Sequence, residues 1–105
     1  MARVVNGFVN QQQIEKAVAR AEKALGPDVV RIRYDLRDDW SGTPALFFRV
    51  VLSDRASRRD HLHKTTQKIK SKILDEARPH ELGLEAYFNF RSVSEQKELQ
   101  EEAWA

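Results

Sequence analysis

Three short runs of this chain alternate between apolar and polar residues with a period of two. They cover 29–37, 45–52 and 84–91. Successive side chains of a β-strand point to opposite faces, so such runs predict strands with one apolar face. The predicted inner residues are Val30, Ile32, Tyr34, Leu36, Leu46, Phe48, Val50, Leu52, Leu84, Ala86, Phe88 and Phe90. We therefore expect a three-stranded sheet with one dry face.

The opposite phase of the three runs is rich in arginine and aromatic residues. Both kinds of side chain are enriched at protein interfaces. Two tryptophans join this set. Trp40 lies in the loop between the first two runs, and Trp104 follows the last predicted helix. The candidate interaction residues are Arg31, Arg33, Arg37, Phe47, Arg49, Tyr87, Arg91, Trp40 and Trp104. The alternative is an ordinary solvated face, in which Asp35 and Glu85 pair with arginines across strands.

A first helix is predicted over 11–25, before the first strand. Its apolar residues recur at helical spacing, and Asn10 with Gln13 has the arrangement of a capping box. The Gly26-Pro27 pair ends this helix, because glycine accepts the left-handed conformation after a helix and proline cannot continue one.

Two further helices are predicted from their capping signals. One runs from about 58 to 77, with Ser57 as the cap and Asp60 at the N3 position. The other follows the third strand, where Ser92 and Glu95 form an S-x-x-E cap. We expect it to be short, acidic and directed toward the end of the sequence.

The predicted order is helix, strand, strand, helix, strand, helix. Two amphipathic helices over the dry phase of the sheet give an α+β fold. It is a two-layer αββαβ sandwich, with a three-stranded mainly antiparallel sheet, two helices on one face and a short C-terminal helix. Residues 3–9 would add a fourth strand and make the pattern ferredoxin-like, although Gly7 interrupts that run. The length of 105 residues predicts that 1–105 forms a single α+β domain.

The composition excludes several classes of protein. The sequence has no cysteine, which excludes disulfides, thiol catalysis and cysteine-ligated metal sites. No apolar run approaches the ~20 residues that a membrane helix needs, and the first residues lack the apolar stretch of a signal peptide. We therefore expect a cytoplasmic protein with no membrane partner.

Motifs for catalysis or cofactor binding are missing from the sequence. His61 and His63 would lie about 200° apart around a helix, so they cannot share a metal as the H-E-x-x-H ligands do. Ser94 and Lys97 match S-x-x-K, but the S-D-N and K-T-G segments that complete such a site are absent. The sequence predicts a protein that is not an enzyme and that holds no cofactor and no metal.

Charge is unevenly distributed along the chain, although the net charge is only +2. Residues 54–78 carry eight Lys and Arg against four Asp and Glu, whereas residues 92–105 carry one lysine against four glutamates. Lys64, Lys68 and Lys72 form a basic row on the second predicted helix, away from the arginines of the sheet. The basic residues therefore do not combine into one track for a phosphate backbone.

The favoured function is a non-catalytic protein–protein interaction module, an adaptor or subunit whose partner is another protein. That partner includes a second copy, because an exposed sheet edge favours strand addition and a homo-oligomer. The alternative is an RNA or single-stranded nucleic-acid-binding domain that uses the same arginine and aromatic face. Neither the basic-Gly-aromatic motif of RNA-recognition domains nor a G-x-x-G loop occurs, so nucleic acid is the less favoured partner.

Overall fold

The computed structural model describes residues 11–105, where a pair of long helices covers one face of a three-stranded sheet. The elements are α1 (Gln11–Leu25), β1 (Val29–Asp38), β2 (Pro44–Leu52), α2 (Leu62–Ala77), a 3-10 turn (Pro79–Leu82), β3 (Glu85–Ser92), α3 (Val93–Leu99) and a second 3-10 turn (Glu102–Trp104). The α+β class and the αββαβ order are confirmed. The predicted strand at 3–9 and the predicted cap at Asn10 lie outside the described residues.

The strands are arranged in the order β1-β2-β3, with β2 in the centre. β1 and β2 pair antiparallel as a hairpin, whereas β2 and β3 pair parallel, so the sheet is mixed rather than mainly antiparallel as predicted. The parallel pair follows from the connection, because α2 carries the chain back across the sheet before β3 begins. None of the helices among residues 11–105 is long and apolar enough to cross a membrane.

The apolar core lies between the inner face of the sheet and the two long helices. Its members include Ile14, Val18, Ala21, Leu25, Ile32, Leu46, Phe48, Val50, Leu52, Ile69 and Ile73. Fully burying a side chain of this kind stabilises the fold by roughly 1.5–3 kcal/mol. Phe48 lies at the centre of the aromatic portion, where its ring stacks on that of Phe88 with centroids 5.1 Å apart. The core therefore fixes which face of the sheet remains outside.

The inner phase predicted for β1 is wrong at one position. Val30 is 46% exposed whereas Val29 is buried. The register between β1 and β2 shifts between Val29 and Arg31. A β-bulge inserts an extra residue into one strand, which interrupts the alternation of side chains. From Arg31 onward the predicted phase is correct, and Ile32 faces the core.

The second long helix begins four residues later than predicted, at Leu62 rather than near position 58. The predicted cap is used for something else. The Ser57 hydroxyl donates to the Asp54 carbonyl oxygen at 2.9 Å, and the Ser57 amide donates to the Ser53 carbonyl at 3.1 Å. Ser57 therefore belongs to a turn that precedes the helix and does not cap it.

The cap predicted at Ser92 is present in full. Ser92 Oγ accepts from the Glu95 amide at 3.0 Å, and Glu95 Oε1 accepts from the Ser92 amide at 3.0 Å. The helix that follows is short, as expected, because Gln100 adopts a left-handed conformation with φ of 51° and ends it. The chain then turns back toward the outer face of the sheet, the face opposite the two long helices.

Candidate interaction surface

The strand register places the predicted contact residues side by side on the outer face. Its four rows are Arg31, Val51 and Arg91; Arg33, Arg49 and Asn89; Asp35, Phe47 and Tyr87; and Arg37, Ala45 and Glu85. Residues that are partners in neighbouring strands point to the same face. Candidates from three separate runs of the sequence therefore share one surface.

One end of this face is covered by residues 101–105. Trp104 is only 8% exposed, and the guanidinium carbon of Arg91 lies 4.3 Å from the centroid of its ring system. Arg31 Nε donates to the Trp104 carbonyl oxygen at 3.0 Å, and Arg49 Nε donates to the Ala103 carbonyl oxygen at 2.7 Å. Arg91 also forms an ion pair with Glu101. These three arginines thus contact the protein's own chain.

The other end of the face carries an aromatic cluster, which consists of Trp40, Phe47, Tyr87 and Arg37. Phe47 and Tyr87 stack with centroids 5.0 Å apart, and Trp40 packs on Tyr87 at 5.3 Å. The guanidinium carbon of Arg37 lies 3.7 Å from the Phe47 centroid. Arg33 is exposed on the same face, one row away. This end of the face is open to solvent, and Trp40 is 83% exposed.

Asp39 holds the loop that carries Trp40. Its Oδ1 accepts from the Ser41 amide at 2.9 Å, the Ser41 hydroxyl at 2.7 Å and the Thr43 amide at 3.0 Å. Its Oδ2 accepts from the Tyr87 hydroxyl at 2.7 Å. The bonds to Ser41 and Thr43 shape the turn, and the bond to Tyr87 ties the turn to β3. An aspartate followed by serine and threonine is the signal of such a turn, but nothing in the sequence indicates the bond to Tyr87.

These hydrogen bonds shift the pKa values of both partners. The Ser41 hydroxyl, then the Tyr87 hydroxyl, lower the pKa of Asp39 from 3.8 to about 2. The hydrogen bond to Asp39 raises the pKa of Tyr87 from 10.0 to about 12. Near neutral pH the carboxylate is therefore ionised and occupied by four donors, while the phenol keeps its proton. Both groups serve to position the loop.

We expect Tyr87→Phe to raise the pKa of Asp39 from about 2 toward its ordinary 3.8. The rise should be incomplete, because Ser41 and Thr43 still donate to the carboxylate. The measurement is an NMR titration of the Asp39 carboxyl carbon. Asp35 is the internal control. Its pKa is lowered by a hydrogen bond from Arg49 rather than from Tyr87, so it should not change in the variant. An unchanged Asp39 midpoint in the variant would contradict the role given to the phenol.

The pKa shifts of Asp39 and Tyr87 define the pH range over which the loop is stabilised. Because the pKa of Asp39 is lowered on folding, its contribution to stability is present above pH about 4 and is lost as the pH falls through about 2. Because the pKa of Tyr87 is raised, its contribution is present below pH about 10 and is lost as the pH rises through about 12. The loop is therefore held at full strength across the neutral range.

The basic row of α2 lies in the opposite layer of the fold, away from the outer face. Lys72 Nζ lies 3.2 Å from Glu76, and Lys68 Nζ lies 4.0 Å from Asp28. Two of the three lysines thus have an acidic neighbour. Within residues 11–105, no three of the metal-ligating side chains are close enough together to hold a metal ion.

Comparison with known proteins gives a likeness in fold. No family model matches the chain, and no similar sequence was found among curated proteins. Among solved structures, the chain is similar to the copper form of the MamM CTD, with a TM-score of 0.51 and 8% identity. The match covers 80% of this chain and 87% of that chain. Identity this low shows the fold alone, which in that neighbour is of the ferredoxin-like type.

Proposed function

We propose that this protein is a non-catalytic interaction module, a cytoplasmic adaptor or subunit that binds another protein through the aromatic cluster. The observation that carries the proposal is the position of Trp40. Its side chain is 83% exposed, yet it is fixed by its contact with Tyr87 and by the loop that Asp39 organises. A large exposed apolar side chain that packs against further aromatic residues is typical of a surface that a partner covers.

The aromatic cluster has the composition of an interface hot spot. Tryptophan, tyrosine and arginine are the residues whose truncation most often costs binding energy. Trp40, Tyr87 and Phe47 offer contiguous apolar area, and the Tyr87 hydroxyl is already satisfied by Asp39. Because the cluster is pre-organised, a partner would lose little side-chain entropy by contacting it.

The contacts of the arginines favour a protein partner over nucleic acid. Arg31, Arg49 and Arg91 hold residues 101–105, and Arg49 also pairs with Asp35 at 2.8 Å. A binder of single strands needs open aromatic faces on which bases stack. Arg37 lies over the face of Phe47, which leaves Trp40 as the one strongly exposed ring of the aromatic cluster.

In this proposal the partner includes a second copy of the chain. In the described sheet, the outward edges of β1 and β3 are not paired with another strand, and such edges invite strand addition. The edge of β1 is partly blocked, because the Ile32 amide donates to Glu22 Oε2 at 2.8 Å. The edge of β3 is therefore the better place for two copies to meet.

The test is capture of partners from host extract by the full chain and by variants of the aromatic cluster. We expect Trp40→Ala and Arg37→Ala each to reduce the captured protein about tenfold or more, since hot-spot truncations cost about 2 kcal/mol. The matched control is Leu74→Ala, because Leu74 is an exposed apolar residue on α2 in the other layer. Light scattering of the purified protein would show whether the captured partner includes a second copy.

The proposal fails if Trp40→Ala retains every partner that the unaltered protein captures. It also fails if nucleic acid alone is recovered and its affinity falls steeply with salt, as counterion release requires. In that case Arg33→Glu with Arg37→Glu would abolish binding, and the nucleic-acid alternative would replace the protein partner.

A further inference from the structure

Three arginines on the outer face contact residues 101–105. This arginine triad, Arg31, Arg49 and Arg91, holds residues 101–105 through four separate contacts. We infer that the triad is a binding site for a peptide with a glutamate three residues before a tryptophan. The site is filled in this structure by the chain's own segment, and a partner protein with the same pattern would compete for it.

The contacts divide into two kinds. Arg31 and Arg49 donate to main-chain carbonyl oxygens, at 3.0 and 2.7 Å, which any sequence could offer. Arg91 contacts side chains, with one ion pair to Glu101 and its guanidinium over the ring of Trp104 at 4.3 Å. Charge-assisted bonds and cation–π contacts are the stronger and more selective of these interactions. The selectivity of the site for an acidic and aromatic peptide therefore lies in Arg91.

An apolar residue of the sheet, Val51, lies beneath the segment that the triad holds. Val51 lies in the same row as Arg31 and Arg91 on the outer face, yet it is almost fully buried. An outward-facing valine in a sheet covered by helices on its other face would ordinarily meet water. Residues 101–105 lie over this end of the face, so their departure would expose apolar area for a replacement peptide to cover.

The chain's own segment is held by few apolar contacts. α3 contributes no buried residue, and Trp104 is the buried residue of the 3-10 turn that follows. The start of α3 is fixed by the hydrogen bonds of Ser94 to Asp54, at 2.6 and 3.0 Å. Segments with so little buried surface open at a low cost in free energy. The site is therefore accessible to a competing peptide without unfolding of the core.

The experiment measures binding of a labelled, end-capped peptide, Gln-Glu-Glu-Ala-Trp-Ala, which copies residues 100–105. Fluorescence anisotropy would be recorded with the unaltered chain and with Trp104→Ala, whose own segment no longer competes. We expect the variant to bind at least about tenfold more tightly, because a tethered segment competes at an effective concentration in the millimolar range. Glu101→Ala is a second variant that should accept the peptide. Its own segment keeps Trp104 and is therefore displaced less easily than the segment of Trp104→Ala.

Two controls separate recognition from unspecific attraction. Arg91→Glu in the Trp104→Ala background should abolish binding, and so should a peptide with its tryptophan replaced by alanine. Leu74→Ala in the same background should leave peptide binding unchanged, because Leu74 is an exposed residue of α2 in the other layer of the fold. The inference is overturned if the unaltered chain and both acceptors bind the peptide equally, or if Arg91→Glu has no effect.

Discussion

Phe48→Ala should lower the free energy of unfolding by about 3–5 kcal/mol, the range for a large aromatic residue removed from a core. Phe48 is fully buried in the central strand. Its ring lies between those of Phe88 and Tyr34, with centroids 5.1 and 6.3 Å away. Truncation would leave a cavity that neighbours on both other strands line. Equilibrium unfolding in urea, followed by circular dichroism, measures the loss.

Val30→Ala is the control for this experiment. Val30 belongs to the same alternating pattern, but the bulge leaves it exposed at 46%. Surface substitutions usually change stability by less than about 0.5 kcal/mol. A loss at Val30 that approached the loss at Phe48 would mean that the bulge is wrong and that the unbroken alternation of the sequence describes β1.

The bulge also shows where a sequence pattern stops being informative. Val29 and Val30 are both apolar, so either of them satisfies the requirement for an inner residue. The choice depends on the pairing of β1 with β2, where Val29 is the partner of Leu52 and Arg31 is the partner of Val51. Periodicity describes one strand at a time, whereas register is a property of two. The strands were therefore predictable from the sequence, and the position of the bulge was not.

The two predicted serine caps had different outcomes for a similar reason. Ser57 and Ser92 each have an acidic residue three positions later. Ser92 ends the last strand, and its hydroxyl is free to accept from Glu95. Ser57 lies in a tight turn, where its hydroxyl donates to Asp54 instead. A capping motif therefore indicates that a helix begins nearby, while the preceding loop decides which residue begins it.

The candidate surface was predictable as a set of residues but not as a working arrangement. Alternation alone placed Arg31, Arg91 and Phe47 on one face, because side-chain direction is a local property of a strand. The return of the chain to that face depends on contacts between distant residues, such as Arg31 with Trp104 and Tyr87 with Asp39. These contacts divide the surface into a covered end and an open end, and the function proposed above depends on that division.

Trp104→Ala should release α3 and residues 101–105 while leaving the core folded. We expect the free energy of local opening to fall by about 2–3 kcal/mol. This is less than for a core tryptophan, because one face of the ring lies against Arg91 rather than apolar atoms. Amide hydrogen exchange in 93–105 should then be about 30-fold faster or more. Mass spectrometry of exchanged peptides measures this change segment by segment.

Leu99→Ala is the matched control for the release of this segment. Leu99 is an apolar residue of the same helix, but it is exposed, so its truncation should leave hydrogen exchange nearly unchanged. The strands should keep their protection in both variants, because the core residues of β2 pack against the two long helices on the other face of the sheet. Faster exchange in β2 of Trp104→Ala would show that the segment belongs to the cooperative core. Unchanged exchange in 93–105 would show that the arginines hold the segment without the ring, and the selectivity assigned to Arg91 would then lie in its ion pair with Glu101 alone.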